Sequence, residues 1–169
     1  MIKAKTLTKI KWESIAWFVG LMAVVAVVPH YAHNQFITGP IVNATLFIAA
    51  VILGAGNAIL IGLVPSVVAL VSGLLPAPLA PMIPFIMISN AILILVFSYT
   101  RKGNFWGGVI GAALFKYAFL YLTSTIVVGL ISNQNIAAKA AATMLAWPQI
   151  ATAIVGGVIA FGVLKLARR

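Results

Sequence analysis

The sequence predicts an all-α integral membrane protein with six transmembrane helices and with both termini in the cytoplasm. Three observations carry this prediction: the composition, the spacing of the polar breaks and the placement of the basic residues. The 169 residues are 63% hydrophobic and 7% charged, with a mean hydropathy of +1.17, whereas a soluble domain is about half apolar and about a quarter charged. One small globule cannot bury that much apolar surface, so its solvent must be lipid. A soluble enzyme or a nucleic-acid-binding protein is excluded.

Six spans account for nearly the whole chain, because each crossing takes about 20 apolar residues. We find no linker and no convincing repeat, so residues 1–169 are predicted to form a single transmembrane domain. The predicted spans are approximately 12–29, 40–53, 58–75, 85–99, 105–131 and 147–166.

Turn-forming residues separate the first four spans. Gly39-Pro40 opens the second, which is short, and a tight turn at 54–57 (GAGN) precedes the third. Four prolines between 76 and 84 predict a loop before the fourth span, since proline interrupts a continuous helix.

The last two spans follow the clearest polar break, residues 100–104 (TRKGN). The fifth span is long enough to be tilted. An Ala-rich, helical approach is expected at 137–145, after which Trp147-Pro148 opens the sixth span, because proline suits the first turn of a helix.

The basic residues set the orientation. With six spans, three clusters fall on one side of the membrane, which should be the cytoplasm. They comprise Lys3, Lys5, Lys9 and Lys11, then Arg101 and Lys102, and finally Lys165, Arg168 and Arg169. The opposite connections carry only Lys139. The N-terminal stretch has no clear cleavage site and is interpreted as retained.

The sequence contains few groups for catalysis or metal binding. Its single acidic residue is Glu13 and it has no cysteine, which excludes carboxylate dyads, thiolate sites and disulfides. His30 and His33 lack supporting ligands for a metal site. We therefore predict no enzymatic activity, no metal and no cofactor.

Lys116 is the most informative residue, because it lies near the middle of the fifth span. A charge at that depth is costly unless it faces a cavity or a partner, and the one acidic residue, Glu13, lies at the very start of the first span, far from that depth. The functional interpretation is a cationic anchor for an anionic ligand group such as a carboxylate. The alternative is a snorkelling or packing lysine.

Further polar and aromatic residues cluster toward the non-cytoplasmic half. Together with Lys116 they are predicted to form a ligand pocket that opens to the outside. They are Asn34, Asn43, Asn90, Tyr117, Tyr121, Trp147 and Gln149. For each of these residues taken alone, the alternative to ligand contact is a structural role. Tyr and Trp anchor helices at membrane interfaces, and amide side chains form hydrogen bonds to neighbouring helices.

Several stretches resemble the substrate-binding S components of energy-coupling factor (ECF) vitamin transporters. They are TGPIVNA at 38–44, ILGAGNAILIGLVP at 52–65, PMIPFIMISNA at 81–91 and GGVIGA at 107–112. The resemblance implies the ECF S-component bundle of six helices. It also implies capture of a vitamin, a vitamin precursor or another micronutrient at the outer face of a prokaryotic plasma membrane.

The resemblance also implies partners, namely a transmembrane coupling protein and two cytoplasmic ATPases. The first span of the family carries a small-residue face for the coupling protein, and the matching residues here are Ala16, Gly20 and Ala23. Gly20 stands where the family pattern has alanine. Three alternative hypotheses for the function remain: a self-contained small transporter or channel, a membrane enzyme, and a structural membrane protein without a ligand.

Overall fold

The structure, a computed structural model, describes residues 12–129, 142 and 147–167. Regular structure in this part of the chain is helical. The six α-helices are α1 (Trp12–Tyr31), α2 (Gln35–Ile52), α3 (Ala55–Val71), α4 (Ile83–Thr100), α5 (Phe105–Gly129) and α6 (Pro148–Ala167), and a 3-10 helix (Ala77–Met82) precedes α4.

Five of these helical segments are long and apolar enough to cross a membrane. They are α1, α2, the 3-10 helix together with α4, α5 and α6, whereas α3 is apolar but has only 17 residues. Large apolar side chains cover the outer surface, among them Val71, Leu122 and Ile126. The chain is therefore a multi-pass membrane protein.

Two helices begin earlier than the sequence predicts. Helix α2 begins at Gln35 rather than at Pro40, because the Asn34 side chain caps it by accepting a hydrogen bond from the Phe36 N–H at 2.8 Å. Pro40 therefore lies inside the helix, which neighbouring helices permit in membrane proteins. Helix α3 begins at Ala55, directly after Gly54, whose φ of 82° makes the turn.

The proline-rich segment is also more regular than predicted. It forms the 3-10 helix Ala77–Met82 rather than an irregular loop, and it leads directly into α4 at Ile83. Helix α5 is described to Gly129. The predicted Ala-rich approach at 137–145 lies outside the described residues except for Ala142, which is helical.

Helix α2 forms the centre of the bundle, and Phe47 packs there against Phe97 of α4 with ring centroids 4.6 Å apart. Helix α6 approaches α2 closely at Gly156. A Cβ at this position would lie 2.8 Å from the Ala44 backbone nitrogen and 2.9 Å from the Pro40 carbonyl oxygen. Only glycine leaves room for the two backbones at this separation.

Helix α1 packs against the bundle through one narrow face. Its buried residues are Leu21, Val25 and Pro29, which recur every four residues. The small residues Ala16, Gly20 and Ala23 are exposed on the remaining surface. A Cβ added at Gly20 would have no neighbour within 4 Å.

Short connections make α1 and α2, α2 and α3, and α4 and α5 antiparallel neighbours. Phe161 near the end of α6 lies beside Phe105 at the start of α5, with ring centroids 5.3 Å apart, so α6 is antiparallel to α5 and the bundle has two distinct ends. At one end Arg101 donates a hydrogen bond to the Ala50 carbonyl in the last turn of α2, at 3.4 Å. Lys102 and Lys165 also lie at this end, since one follows α4 and the other is in the last turn of α6. At the opposite end the Ser72 hydroxyl donates to the Pro29 carbonyl at 3.0 Å, which ties α3 to α1.

Candidate functional site

A cavity opens at the end of the bundle opposite Arg101 and Lys165. The space between its lining side chains, including the part that is open to solvent, is about 560 Å³. All six helices contribute to its walls. The lining residues are Pro29, Gln35, Thr38, Gly39, Val42, Asn43, Pro65, Ser66, Ala69, Leu74, Leu75, Ile86, Asn90, Lys116 and Gln149.

Lys116 lies at the inner part of this site and is only 4% exposed. Its Nζ donates hydrogen bonds to Asn43 Oδ1 on α2 at 2.8 Å and to Asn90 Oδ1 on α4 at 2.9 Å. These distances are typical of strong, charge-assisted hydrogen bonds. The lysine thus joins three helices through two neutral amides.

Further hydrogen bonds fix the orientation of both amides. Asn90 Nδ2 donates to the Gly62 carbonyl of α3 at 2.8 Å, and a carbonyl can only accept. Asn43 Nδ2 donates to Thr152 Oγ1 of α6 at 3.3 Å, and the Thr152 hydroxyl donates to the Gln149 carbonyl at 3.2 Å. Both amide oxygens are therefore directed at Lys116.

No carboxylate in the chain can neutralise Lys116. The single acidic residue of the sequence, Glu13, is in the first turn of α1, at the opposite end of the bundle from the cavity. Amide oxygens contribute dipoles but no negative charge. The lysine therefore has no charge partner among the described residues, and an ammonium without such a partner is costly in the low dielectric of the interior.

The structure brings four of the predicted site residues together: Lys116, Asn43, Asn90 and Gln149 all line the cavity. The other four lie outside its lining. Asn34 is the exposed N-cap of α2, and Trp147, 62% exposed, lies beside Phe36 with ring centroids 6.0 Å apart.

The two tyrosines pack on each other rather than on the cavity. The rings of Tyr117 and Tyr121 have centroids 5.8 Å apart, and Tyr121 is 48% exposed. One residue along a helix turns the side chain by about 100°, so Tyr117 leaves the face on which Lys116 lies. Ligand contact by Asn34, Trp147 and the tyrosines stays a prediction.

The structure adds Gln35, Thr38 and Ser66 to the cavity lining, and Thr152 to the network behind it. Thr38 and Asn43 lie three and eight residues after Gln35, and both spacings return to the same side of a helix. This periodicity is the signal in the sequence that could have found Gln35 and Thr38. It requires α2 to begin before Pro40, whereas the sequence predicts its start at Pro40.

The arrangement is suited to binding rather than to covalent chemistry. The polar side chains of the lining are amides, hydroxyls and one lysine, and Thr38 and Ser66 donate their hydroxyls to the backbone carbonyls of Ala32 and Leu63. Within the described residues, no three His, Cys, Asp or Glu residues lie close enough together to hold a metal ion. The site offers one positive charge inside a small, largely apolar space.

Comparison with models of known protein families, with curated protein sequences and with solved structures finds no match for this chain.

Proposed function

We propose that this chain is the substrate-binding S component of an ECF-type importer, which captures a vitamin, a vitamin precursor or another micronutrient. The observation that carries the proposal is Lys116 in the wall of a cavity, while the one acidic residue of the sequence, Glu13, lies at the opposite end of the bundle. Charged groups within membrane spans are costly and mark ligand or ion sites. The four sequence stretches that resemble S components support the same proposal.

The proposal includes six spans, with α3 as the shortest, and cytoplasmic termini. Under the positive-inside rule, the end that carries Arg101, Lys102 and Lys165 faces the cytoplasm. The cavity at the opposite end then opens to the outside of a prokaryotic plasma membrane, where a substrate to be imported is first met.

Uptake by this chain requires partners. A transmembrane coupling protein and two cytoplasmic ATPases supply the energy, because the sequence contains no P-loop motif. The proposed docking face for the coupling protein is the exposed surface of α1 that includes Ala16, Gly20 and Ala23. Small residues there permit close approach of a second helix.

Reconstitution in liposomes tests the proposal. The chain is incorporated alone, or together with the ECF coupling protein and ATPases encoded in the same genome, and the compounds taken up in the presence of ATP are identified by mass spectrometry. We expect accumulation only with the complete set of partners. Accumulation by the chain alone would instead identify a self-contained transporter, and failure of the ATPases to associate with the chain would also contradict the proposal.

A further inference from the structure

We propose that the substrate is a small monoanionic acid whose carboxylate binds Lys116, and that Asn43 and Asn90 position this lysine rather than contact the substrate. This inference rests on the proposed function, whose site it describes further. It divides the predicted pocket residues into one that recognises the ligand and two that hold it in place.

The charge of the cavity selects the charge of the ligand. Among the described residues, Lys116 is the one charged residue of the lining, and the one acidic residue of the sequence, Glu13, lies at the opposite end of the bundle. A carboxylate would compensate the lysine, and their attraction is stronger in the protein interior than in bulk water. A cationic group would be repelled by Lys116 and would find no carboxylate, so cations and zwitterions such as amino acids are disfavoured.

The hydrogen bonds assign the roles of the three polar residues. The oxygens of Asn43 and Asn90 accept from Lys116, and their nitrogens donate to Thr152 and to the Gly62 carbonyl. A lysine ammonium has three donors. Two of these N–H donors form the hydrogen bonds to Asn43 and Asn90. Among the described residues no further acceptor bonds to Lys116, so the third donor is available to the ligand.

The rest of the cavity selects the body of the ligand. Pro29, Val42, Leu74, Leu75 and Ile86 give it an apolar wall. A site with one charged contact and apolar walls fits a compact ring or short chain with the carboxylate at one end.

Matched probes test this proposal on the wild-type chain. The full-length protein is purified in detergent, and its thermal unfolding is followed in the presence of benzoate, benzamide and benzylamine, and of hexanoate, hexanamide and hexylamine. The members of each series differ in charge at nearly constant size. We expect the acids to raise the unfolding midpoint, with affinities about 30-fold or more above those of the amides and amines.

Two variants locate the effect. Lys116→Met is expected to abolish the response to the acids. Lys102→Met removes a lysine from the exposed turn between α4 and α5, and it should leave the response unchanged. Equal responses to the three members of a series, a response to amides or amines alone, no response to any acid, or a full response of Lys116→Met to the acids would each overturn the proposal.

These outcomes are separable from those of the proposed function. Probe binding by amides alone would refute the acid class, while partner-dependent uptake in liposomes would still hold. Selective binding of acids by a chain that associates with no ATPases would leave the acid site standing and would refute the ECF assignment.

Discussion

The side-chain nitrogen of Lys116 lies 2.8 Å from the side-chain oxygen of Asn43, in the interior of the bundle. The partner is an amide, not a carboxylate. An ion pair would satisfy the lysine fully, whereas an amide orients it and leaves its charge in place. That difference distinguishes a lysine available to a ligand from one used only to hold helices together.

Conversion of this amide to a carboxylate should close the site to anions. In Asn43→Asp a charge would lie within hydrogen-bond distance of Lys116, and the Thr152 hydroxyl could turn to donate to it. We expect the variant to fold at least as stably as the wild type and to bind an acid at least about tenfold more weakly. Calorimetry with the acid, together with thermal unfolding, measures both effects.

Asn104→Asp is the matched control for that change. Asn104 caps α5 by accepting from the N–H groups of Trp106 and Gly107, and aspartate caps a helix equally well. The same substitution at this exposed position should leave the affinity unchanged. Undiminished affinity in Asn43→Asp itself would show that the ligand does not depend on the charge of Lys116.

Close contact of α2 and α6 holds Asn43 in register with Thr152. Gly156→Ala would place a Cβ 2.8 Å from the Ala44 nitrogen, and backbone atoms cannot move aside as a flexible side chain can. Overpacking of this kind typically costs about 1–3 kcal/mol. We expect a lower unfolding midpoint and weaker ligand binding, because separation of the helices breaks the Asn43–Thr152 hydrogen bond.

Gly162→Ala provides the comparison within the same helix. A Cβ at Gly162 has no neighbour within 4 Å, so this variant should unfold at or slightly above the wild-type temperature. Equal stability of the two alanine variants would mean that the α2–α6 contact is looser than described.

The exposed face of α1 is expected to dock the coupling protein. Ala16→Trp or Gly20→Trp should abolish co-purification with the coupling protein and the ATPases, because a large ring prevents close approach of a second helix. Ligand binding should survive, since both positions lie on the exterior. Ala118→Trp on the exposed side of α5 is the control and should leave the complex intact. Complex formation by both α1 variants would place the docking surface elsewhere.

The absence of native cysteine makes the orientation directly measurable. Single cysteines at Lys3 and Arg169 should resist an impermeant thiol reagent applied to intact cells, because both termini are predicted to be cytoplasmic. His33→Cys, in the exposed connection between α1 and α2, should be labelled. Labelling of either terminus from outside would overturn the orientation and, with it, the ECF assignment.

Four of the residues that the sequence predicts for a pocket line one cavity in the structure. Polar groups in an apolar bundle must satisfy one another or a ligand, which is why Lys116, Asn43, Asn90 and Gln149 meet. These four residues lie close together because of the order of the spans and the depth of each residue in the membrane. Hydropathy and the turn-forming residues between the spans define both. The partner of Asn90, the Gly62 carbonyl, could not be foreseen, because every residue of a helix has a carbonyl and only the packing of α3 on α4 selects one.

The residues around the centre of the site were predicted less completely than the four predicted residues that line the cavity. The sequence predicts that the second helix begins at Pro40, although Asn34 caps that helix at Gln35. With the predicted boundary, Gln35 and Thr38 belong to the preceding loop rather than to the helix that carries Asn43, whereas in the structure all three line the cavity. Tyr117 and Tyr121 are predicted for the pocket because they are four residues apart and share a helix face, with Lys116 about 100° away at the edge of that face. In the structure the two rings lie against each other, and neither residue is part of the cavity lining.

The central claim is that Lys116 anchors the substrate. The most direct test is calorimetric titration of wild type, Lys116→Met and Lys102→Met with the compound that mass spectrometry identifies as released from the purified wild-type protein. Removal of one partner of a buried charged pair costs about 2–5 kcal/mol, so we expect Lys116→Met to bind about 30-fold or more weakly, and Lys102→Met to bind as the wild type does. Equal dissociation constants for wild type and Lys116→Met, both folded, would contradict the account.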